Sequence, residues 1–172
     1  MRRATEDGSV RVIILRAGDY FGPTVRNGLV DPIFGNAAHG ETLRTIGKMD
    51  IPHQWAFVPD LAKAAINLLA LGDQLQPFDV VNFAGYVAPR QDEFFRMVAR
   101  VAGHPDLAVR PTPWWILRIV GLFHGVVREL MELRYLFDTS IILRGSRLRH
   151  LLPQFADTPI EEAVRLTVES YR

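Results

Sequence analysis

An apolar run near the start of the chain constrains the fold more than any other stretch. Residues 11–25 read RVIILRAGDYFGPTV, so a short β-branched segment leads directly into a loop that contains glycine and proline. The segment Val10 to Leu15 is apolar at consecutive positions, which is typical of a strand covered on both faces. The sequence therefore predicts a buried parallel strand that delivers the loop Arg16 to Pro23 to a site at its carboxyl end.

Further strand and helix patterns alternate along the rest of the chain, which indicates an α/β fold with a more helical second half. Residues 25–38 contain three helix-breaking residues and predict no long helix. A helix is expected to end at Gly8, over Arg2 to Asp7. Strands are predicted at Leu43 to Ile46, Trp55 to Val58, Phe78 to Phe83 and Ala108 to Arg110, and helices at Asp60 to Gly72, Gln91 to Ala102, Trp114 to Tyr135, Ser146 to Leu152 and from Thr158 onward.

The helix faces and ends carry more detailed predictions. Asp60 lies in the first turn of its helix, where a cap or a favourable interaction with the helix dipole accounts for it. Thr158 and Glu161 have the spacing of a capping box, with proline between them at the first helical position. The expected buried faces contain Leu61, Ala64, Ala65, Leu68 and Leu69 in the first helix and Phe94, Phe95, Val98 and Val101 in the next.

The segment Trp114 to Val127, WWILRIVGLFHGVV, is strongly apolar but too short to cross a membrane. Arg118, His124, Arg128 and Glu132 would share one stripe of a continuous helix and leave a wide apolar face. A helix packed on its own domain is the main interpretation. A helix that lies in a membrane interface and a helix that mediates dimerisation remain as alternatives. The helix-spaced Gly121 and Gly125 indicate close packing.

Composition excludes several classes of function. The chain has 172 residues, a net charge of +1 and no cysteine, so it has no electrostatic footprint for nucleic acid and no thiolate metal site. No histidine pair has the spacing of a zinc-binding helix. We find no glycine-rich phosphate loop and no nucleophile elbow. We expect a single cytoplasmic domain over residues 1–172, without a transmembrane segment or a bound metal.

Two segments, taken in their order along the chain, resemble motifs of a known family. They are RAGDYFGP, Arg16 to Pro23, and HQWAFVPDLA, His53 to Ala62. They resemble the R-P-x-N-x-Y-G-P and R-D-W/Y-x-x-V-x-D-x-A motifs of the extended short-chain dehydrogenase/reductase family, which includes NAD-dependent epimerases and dehydratases. VVNFAG, which ends at Gly85, and the final segment SRLRHLLPQFADTPIEEAV are also similar to that family.

The resemblance implies an incomplete Rossmann-like parallel sheet, the carboxyl-terminal half of the family's fold, with a mostly helical substrate-binding part. The family's glycine-rich dinucleotide loop and its catalytic Tyr-x-x-x-Lys have no counterpart in this sequence. None of Tyr20, Tyr86 and Tyr135 is followed four residues later by lysine. We therefore expect NAD or NADP as the cofactor of a longer protein, and neither cofactor binding nor catalysis by this chain alone.

The resemblance also implies positions for the site. Ala17 and Gly18 would lie beside the nicotinamide. Asp19 stands at the motif's asparagine, Phe21 at its tyrosine and His53 at the arginine that grips a substrate diphosphate. In addition, Arg147 belongs to a basic cluster, LRGSRLRH, for which a solvated helix end is the main interpretation and contact with a phosphate is the alternative.

The departures at Asp19 and His53 indicate a substrate other than a nucleotide-diphosphate sugar, because a carboxylate repels a diphosphate and histidine cannot clamp it bidentately. The predicted function is the substrate-binding half of an NAD(P)-dependent epimerase, dehydratase or reductase that transfers hydride at a hydroxyl or carbonyl. The alternative is a non-catalytic binding or interaction module derived from that family. The expected partner is a small molecule, and a homodimer remains open.

Overall fold

The computed structural model describes Thr5, Gly8 and residues 10–172 of the chain. The helix end predicted over Arg2 to Asp7 is therefore largely outside the described residues. The strands are β1 (Val12–Arg16), β2 (Asp19–Phe21), β3 (Leu43–Thr45), β4 (His53–Phe57), β5 (Phe78–Asn82), β6 (Tyr86–Ala88) and β7 (Val109–Pro111). The α-helices are α1 (Asn36–Ala38), α2 (Val58–Ala70), α3 (Gln91–Val101), α4 (Trp114–Gly121), α5 (Gly125–Glu132), α6 (Arg134–Asp138), α7 (Ser146–Leu151) and α8 (Ile160–Glu169).

The first predicted strand and the strand near residue 80 form one parallel pair, as the sequence predicted. Strand β1 pairs with β5 in a register that joins Val12 to Phe78 and Arg16 to Asn82. Helix α2 lies between them in sequence and provides the long crossover that parallel strands require. A core cluster that includes Leu68, Val81 and Phe83 lies between these elements. The parallel strand pair therefore packs with α2 and α7 as one layered unit.

A second set of strands holds the loop that follows β1. The short strand β2 pairs in parallel with β4, and β4 pairs antiparallel with β6. The strands β2 and β6, of three residues each, were not predicted from the sequence. Strands β3 and β7 form a further parallel pair. The larger core cluster joins β2 and β4 to helices α3 and α8, with Phe21, Phe34 and Phe94 completely buried in it.

The predicted helix Trp114 to Tyr135 is wrong as a single helix. The chain turns at residues 122–124, and α4 packs back against α5 as a helical hairpin. Two glycines at the turn explain the break, because glycine is a poor helix former. Gly121 also lies so close to α5 that an added Cβ would stand 3.4 Å from Arg128 Cα, which confirms close packing there. Nothing lies within 4 Å of the Cβ position of Gly125.

Two predictions of burial are also wrong. Leu69 in α2 is 70% exposed, although the helical pattern placed it on the buried face. The apolar residues of β1 are only partly buried, although their pattern predicted a strand covered on both faces. In α3, by contrast, Phe94, Phe95 and Val98 are fully buried as predicted. These elements differ in burial because the apolar face of α3 packs against other described elements. The described residues leave β1 and the outer side of α2 partly uncovered.

The predicted capping box at residue 158 does not form. Helix α8 begins at Ile160, and no side chain caps its first turn. Instead, the backbone N–H and the hydroxyl of Thr158 donate to the carboxylate of Asp60, at 2.7 and 2.8 Å. Asp60 is 5% exposed and lies in the first turn of α2, as predicted, but its side chain does not cap that helix. The pair instead fastens the segment before α8 to the start of α2.

Candidate functional site

The loop at the carboxyl end of β1 approaches the next strand closely. Ala17 and Gly18 connect β1 to β2, and Gly18 lies directly against the backbone of Gln54 in β4. A Cβ at position 18 would collide with the carbonyl oxygen of Gln54. Glycine is therefore required at this position by the packing of two backbones. Carboxyl ends of parallel strands are where open α/β sheets bind ligands, so this loop marks the candidate site.

Asp19 and His53 form a hydrogen-bonded pair at this loop. The Nε2–H of His53 donates to Oδ2 of Asp19 over 2.7 Å. The histidine side chain is 13% exposed, and the carboxylate is 44% exposed. Strands β2 and β4 are parallel neighbours, which brings together two residues that are 34 positions apart in sequence. The two departures from the family motifs are thus direct partners in the structure, and the carboxylate remains accessible to a ligand.

Gln54 fastens a distant segment beside this pair. Its Nε2–H₂ group donates to the carbonyl oxygens of Ala84 and Leu143, and its Oε1 accepts from the Leu143 N–H at 2.9 Å. The side chain is 2% exposed. All of its polar atoms are therefore used in holding the segment around Leu143 next to β4, where that segment forms one wall of the site.

Two cavities adjoin at Asp19. The first, of about 340 Å³, is lined by Ala17, Gly18, Asp19, Tyr20, His53, Gln54, Leu136, Ile141 and Leu143. The second, of about 150 Å³, is lined by Asp19, Gly28, Leu29, Pro32, Ile33, Arg44, Thr45, Ile46, Trp55, Gln91, Thr112, Leu117 and Phe137. The helical hairpin and the segment after it contribute Leu117, Leu136 and Phe137, so the walls are predominantly apolar. Together the cavities form a cleft, which we call the Asp19 cleft, with Ala17 and Gly18 at one end.

The second cavity is also lined by Arg44, Trp55 and Gln91, to which sequence reasoning assigned no site role. Trp55 and Gln91 line it, and within the described part of the chain Trp55 Nε1 and Gln91 Oε1 are buried without a hydrogen-bond partner. Trp55 is 4% exposed, as expected for a core position, and its ring stacks on Phe94 at 4.8 Å. Arg44 is exposed on β3 and places a cation on the cavity wall. Trp55 stands at the aromatic position of the R-D-W/Y motif, whereas no motif marks Arg44 or Gln91, which come near it only through long-range packing.

Phe21 and Arg147 have structural partners outside the Asp19 cleft. Phe21 is 0% exposed and stacks on Phe34 with ring centroids 5.4 Å apart. The guanidinium of Arg147 donates to both carboxylate oxygens of Asp79, the shorter distance being 2.6 Å. This hydrogen bonding and the positive charge hold the pKa of Asp79 below its ordinary value, against the effect of burial. Arg147 is thus engaged with β5 in the folded chain.

The residues at the cleft bear on which groups this part of the chain could hold. Among the residues that the structure describes, no group of three or more histidines and carboxylates could hold a metal ion. Small residues beside the cleft, Ala17 and Gly18, are compatible with a flat ring lying against the loop. The sequence contains no glycine-rich loop for a pyrophosphate. No described helix is long and apolar enough to cross a membrane.

Comparison with solved structures identifies the fold. The UDP-glucuronic acid 4-epimerase from Bacillus cereus, in complex with UDP-glucuronic acid and NAD, is similar at a TM-score of 0.72 and 11% sequence identity. The UDP-glucose 4-epimerase from Stenotrophomonas maltophila with bound NAD gives 0.68 and 16%, and RMD from Pseudomonas aeruginosa complexed with NADPH gives 0.66 and 15%. The matches cover 98–99% of this chain and 48–50% of those chains.

No protein-family model matches the sequence, and comparison with curated proteins gave no significant match. The similarity is therefore one of fold. The chain has a partial Rossmann-like α/β fold of the kind found in NAD-dependent epimerases, which confirms the predicted resemblance at the level of structure. It spans about half the length of the solved structures that it matches.

Proposed function

We propose that this chain is the substrate-side half of an NAD(P)-dependent epimerase, dehydratase or reductase of the extended short-chain dehydrogenase/reductase family. In this proposal Ala17 and Gly18 border the nicotinamide, and the Asp19 cleft holds the substrate. When bound, the nicotinamide would accept or donate hydride at a substrate hydroxyl or carbonyl. The fold shared with NAD- and NADPH-bound proteins supports this proposal, as do the two adjoining cavities at the end of β1.

The hydrogen bond between Asp19 and His53 is the observation that determines the proposed substrate class. His53 stands where the family's arginine would grip a diphosphate, and its ring is hydrogen-bonded to the Asp19 carboxylate, while Arg147 is engaged by Asp79. Arg44 is one cation, which suits a single carboxylate or phosphate better than a diphosphate. The apolar walls favour a substrate of low polarity. We infer a small hydroxyl- or carbonyl-bearing molecule with at most one anionic group, whose polar atoms pair with Trp55 Nε1 and Gln91 Oε1.

Ligand binding can test this proposal without catalysis. Nuclear magnetic resonance would follow the indole N–H of Trp55 while UDP-glucose and a panel of low-polarity alcohols and ketones are added. We expect the panel to contain compounds that shift this resonance at millimolar concentration or below, and UDP-glucose to leave it unchanged. Gln91→Ala should weaken such a compound about tenfold, since it removes a hydrogen bond to a buried acceptor. Gln74→Ala, at an exposed site far from the cleft, is the matched control.

Tight binding of UDP-glucose at the cleft would contradict the proposed substrate class. A non-catalytic binding module is the second candidate, supported by the lack of a Tyr-x-x-x-Lys pair in this sequence. The two functions differ in turnover. Only the enzyme should oxidise or reduce a cleft ligand when a polypeptide with the glycine-rich loop and the Tyr-Lys pair is supplied together with NAD(P).

A further inference from the structure

The segment that follows β2 forms one wall of the Asp19 cleft. Strand β2 carries Asp19 itself, and the chain after it contributes to the lining of the smaller cavity with Gly28, Leu29, Pro32 and Ile33. Residues Asp31–Gly35 form a turn of π-helix, a rare conformation that is frequent at functional sites. We call residues 25–31 the wall loop. The position of the wall loop sets the width of the smaller cavity.

A single hydroxyl just beyond α8 joins the two ends of the wall loop. The Oη–H of Tyr171 donates to Oδ1 of Asp31 at 2.6 Å, and the same oxygen lies 3.1 Å from the carbonyl oxygen of Val25. Burial and the hydrogen bond to Asp31 raise the pKa of Tyr171, so the hydroxyl retains the proton that it donates. Val25 and Asp31 are thereby linked through a side chain that lies 140 or more positions away in sequence.

Arg26 adds a second set of contacts at this junction. Its guanidinium lies 3.7 Å from the centroid of the Tyr171 ring, which is a cation–π contact. One terminal nitrogen donates to the carbonyl oxygen of Ser170 at 2.6 Å and to its hydroxyl at 3.0 Å, and the other donates to the carbonyl oxygen of Val25 at 2.9 Å. We call the contacts among Arg26, Asp31, Ser170 and Tyr171 the clasp.

The two ends of the wall loop differ in how the core holds them. Val30 and Ile33, on either side of Asp31, are each 3% exposed and anchor that end in the larger core cluster. Residues 26–28, by contrast, are exposed. The hydrogen bonds that the Asn27 side chain accepts from the following amides shape this turn without attaching it to the body of the protein. The clasp therefore attaches the exposed end of the wall loop to the anchored end.

We propose that Tyr171 is a positioning residue for the Asp19 cleft and that its hydroxyl holds the wall loop in place beside the smaller cavity. Helix α8 is held by other side chains, because Val164, Thr167 and Val168 are each buried. Both described hydrogen bonds of the Tyr171 hydroxyl go to the wall loop instead. This role rests on the proposed function, since it concerns the cleft in which we place the substrate.

Hydrogen exchange of the free chain, followed by nuclear magnetic resonance, tests this role without a ligand. Tyr171→Phe keeps the ring and removes the hydroxyl. We expect the indole N–H of Trp55, which lines the smaller cavity, and the amide N–H of Val30 to exchange about fivefold to tenfold faster, because the wall opens more often. Tyr135→Phe removes the same group from a tyrosine that is 59% exposed and should change neither rate.

A further variant separates opening of the wall from a general loss of stability. Val168→Ala removes apolar volume from the buried face of α8 and leaves every group of the clasp in place. It should lower the free energy of unfolding at least as much as Tyr171→Phe does, without the selective acceleration at Trp55 and Val30. Equal acceleration in the two variants would overturn the positioning role, and so would unchanged exchange in Tyr171→Phe.

Ligand titration connects the wall loop to the cleft. Cyclohexanone and the other compounds of the panel of low-polarity alcohols and ketones would be added while the Trp55 indole resonance is observed. We expect Tyr171→Phe to raise the Kd of a bound compound about fivefold and Tyr135→Phe to leave it unchanged. Equal affinity of Tyr171→Phe and the original chain would overturn the positioning role. Faster exchange in Tyr171→Phe without binding of any compound would support the role of Tyr171 at the wall and contradict the proposed function.

Discussion

Asp79 and Arg147 show how a buried carboxylate depends on the cation beside it. The side chain of Asp79 is 8% exposed and that of Arg147 is 35% exposed, so solvent screens the pair only in part. We expect Arg147→Met to lower the free energy of unfolding by about 1–2 kcal/mol at pH 7, because the carboxylate would stay buried without its cation. Urea denaturation of both proteins measures this difference.

The pH dependence of that difference follows from the lowered pKa of Asp79. A carboxyl whose pKa is lower in the folded state stabilises the fold above its ordinary pKa, and this contribution is lost as the pH falls through the folded value. The difference between Arg147→Met and the original chain should thus be complete above about pH 5 and shrink below about pH 4. Arg165→Met, which removes exposed ion pairs within α8, is the control. An equal loss in both variants would count against a special role for Arg147.

At the level of elements, Gln54 joins β4 to two separate parts of the chain. Gln54→Leu would leave the backbone groups of Leu143 and Ala84 without their partner. We expect a loss of about 2–4 kcal/mol in the free energy of unfolding, since unpaired buried polar groups are costly. The Leu143 amide should also exchange its hydrogen faster, and hydrogen-exchange measurements would detect this change.

Gln74→Leu is the matched control for this element-level prediction. Gln74 is exposed in the turn after α2, and its substitution should change stability by less than about 0.5 kcal/mol. If the Leu143 amide exchanges at the same rate in Gln54→Leu as in the original chain, then Gln54 does not hold the wall of the Asp19 cleft.

At the scale of the whole molecule, β1 pairs on one side only within the described residues, and its apolar residues are partly exposed. We expect residues 1–172 alone to bind neither NADH nor NADPH at micromolar concentration. The few contacts at Ala17 and Gly18 are too weak to offset the cost of immobilising a dinucleotide without a pyrophosphate cradle. Titration calorimetry measures this directly. Saturable micromolar binding would show that the chain is an independent cofactor-binding module.

The sequence by itself determined the features that depend on local periodicity. The apolar run at β1, the crossover through α2 and the buried face of α3 were predicted because neighbouring residues in one element share their direction. The family resemblance added the placement of Ala17, Gly18, Asp19 and His53 near one strand end. In the structure all four residues line one cavity of the Asp19 cleft, and their roles toward a cofactor or a substrate stay predictions.

Only the tertiary structure decided which surfaces meet. A local pattern could not show that Thr158 binds Asp60 instead of capping α8, because the partner lies 98 residues away. The same holds for Arg44, Trp55 and Gln91, which share a cavity although they belong to three elements. The exposure of Phe123 also depends on whether another surface covers this part of the chain. Local propensity sets which elements form, and long-range packing sets which of their faces are buried.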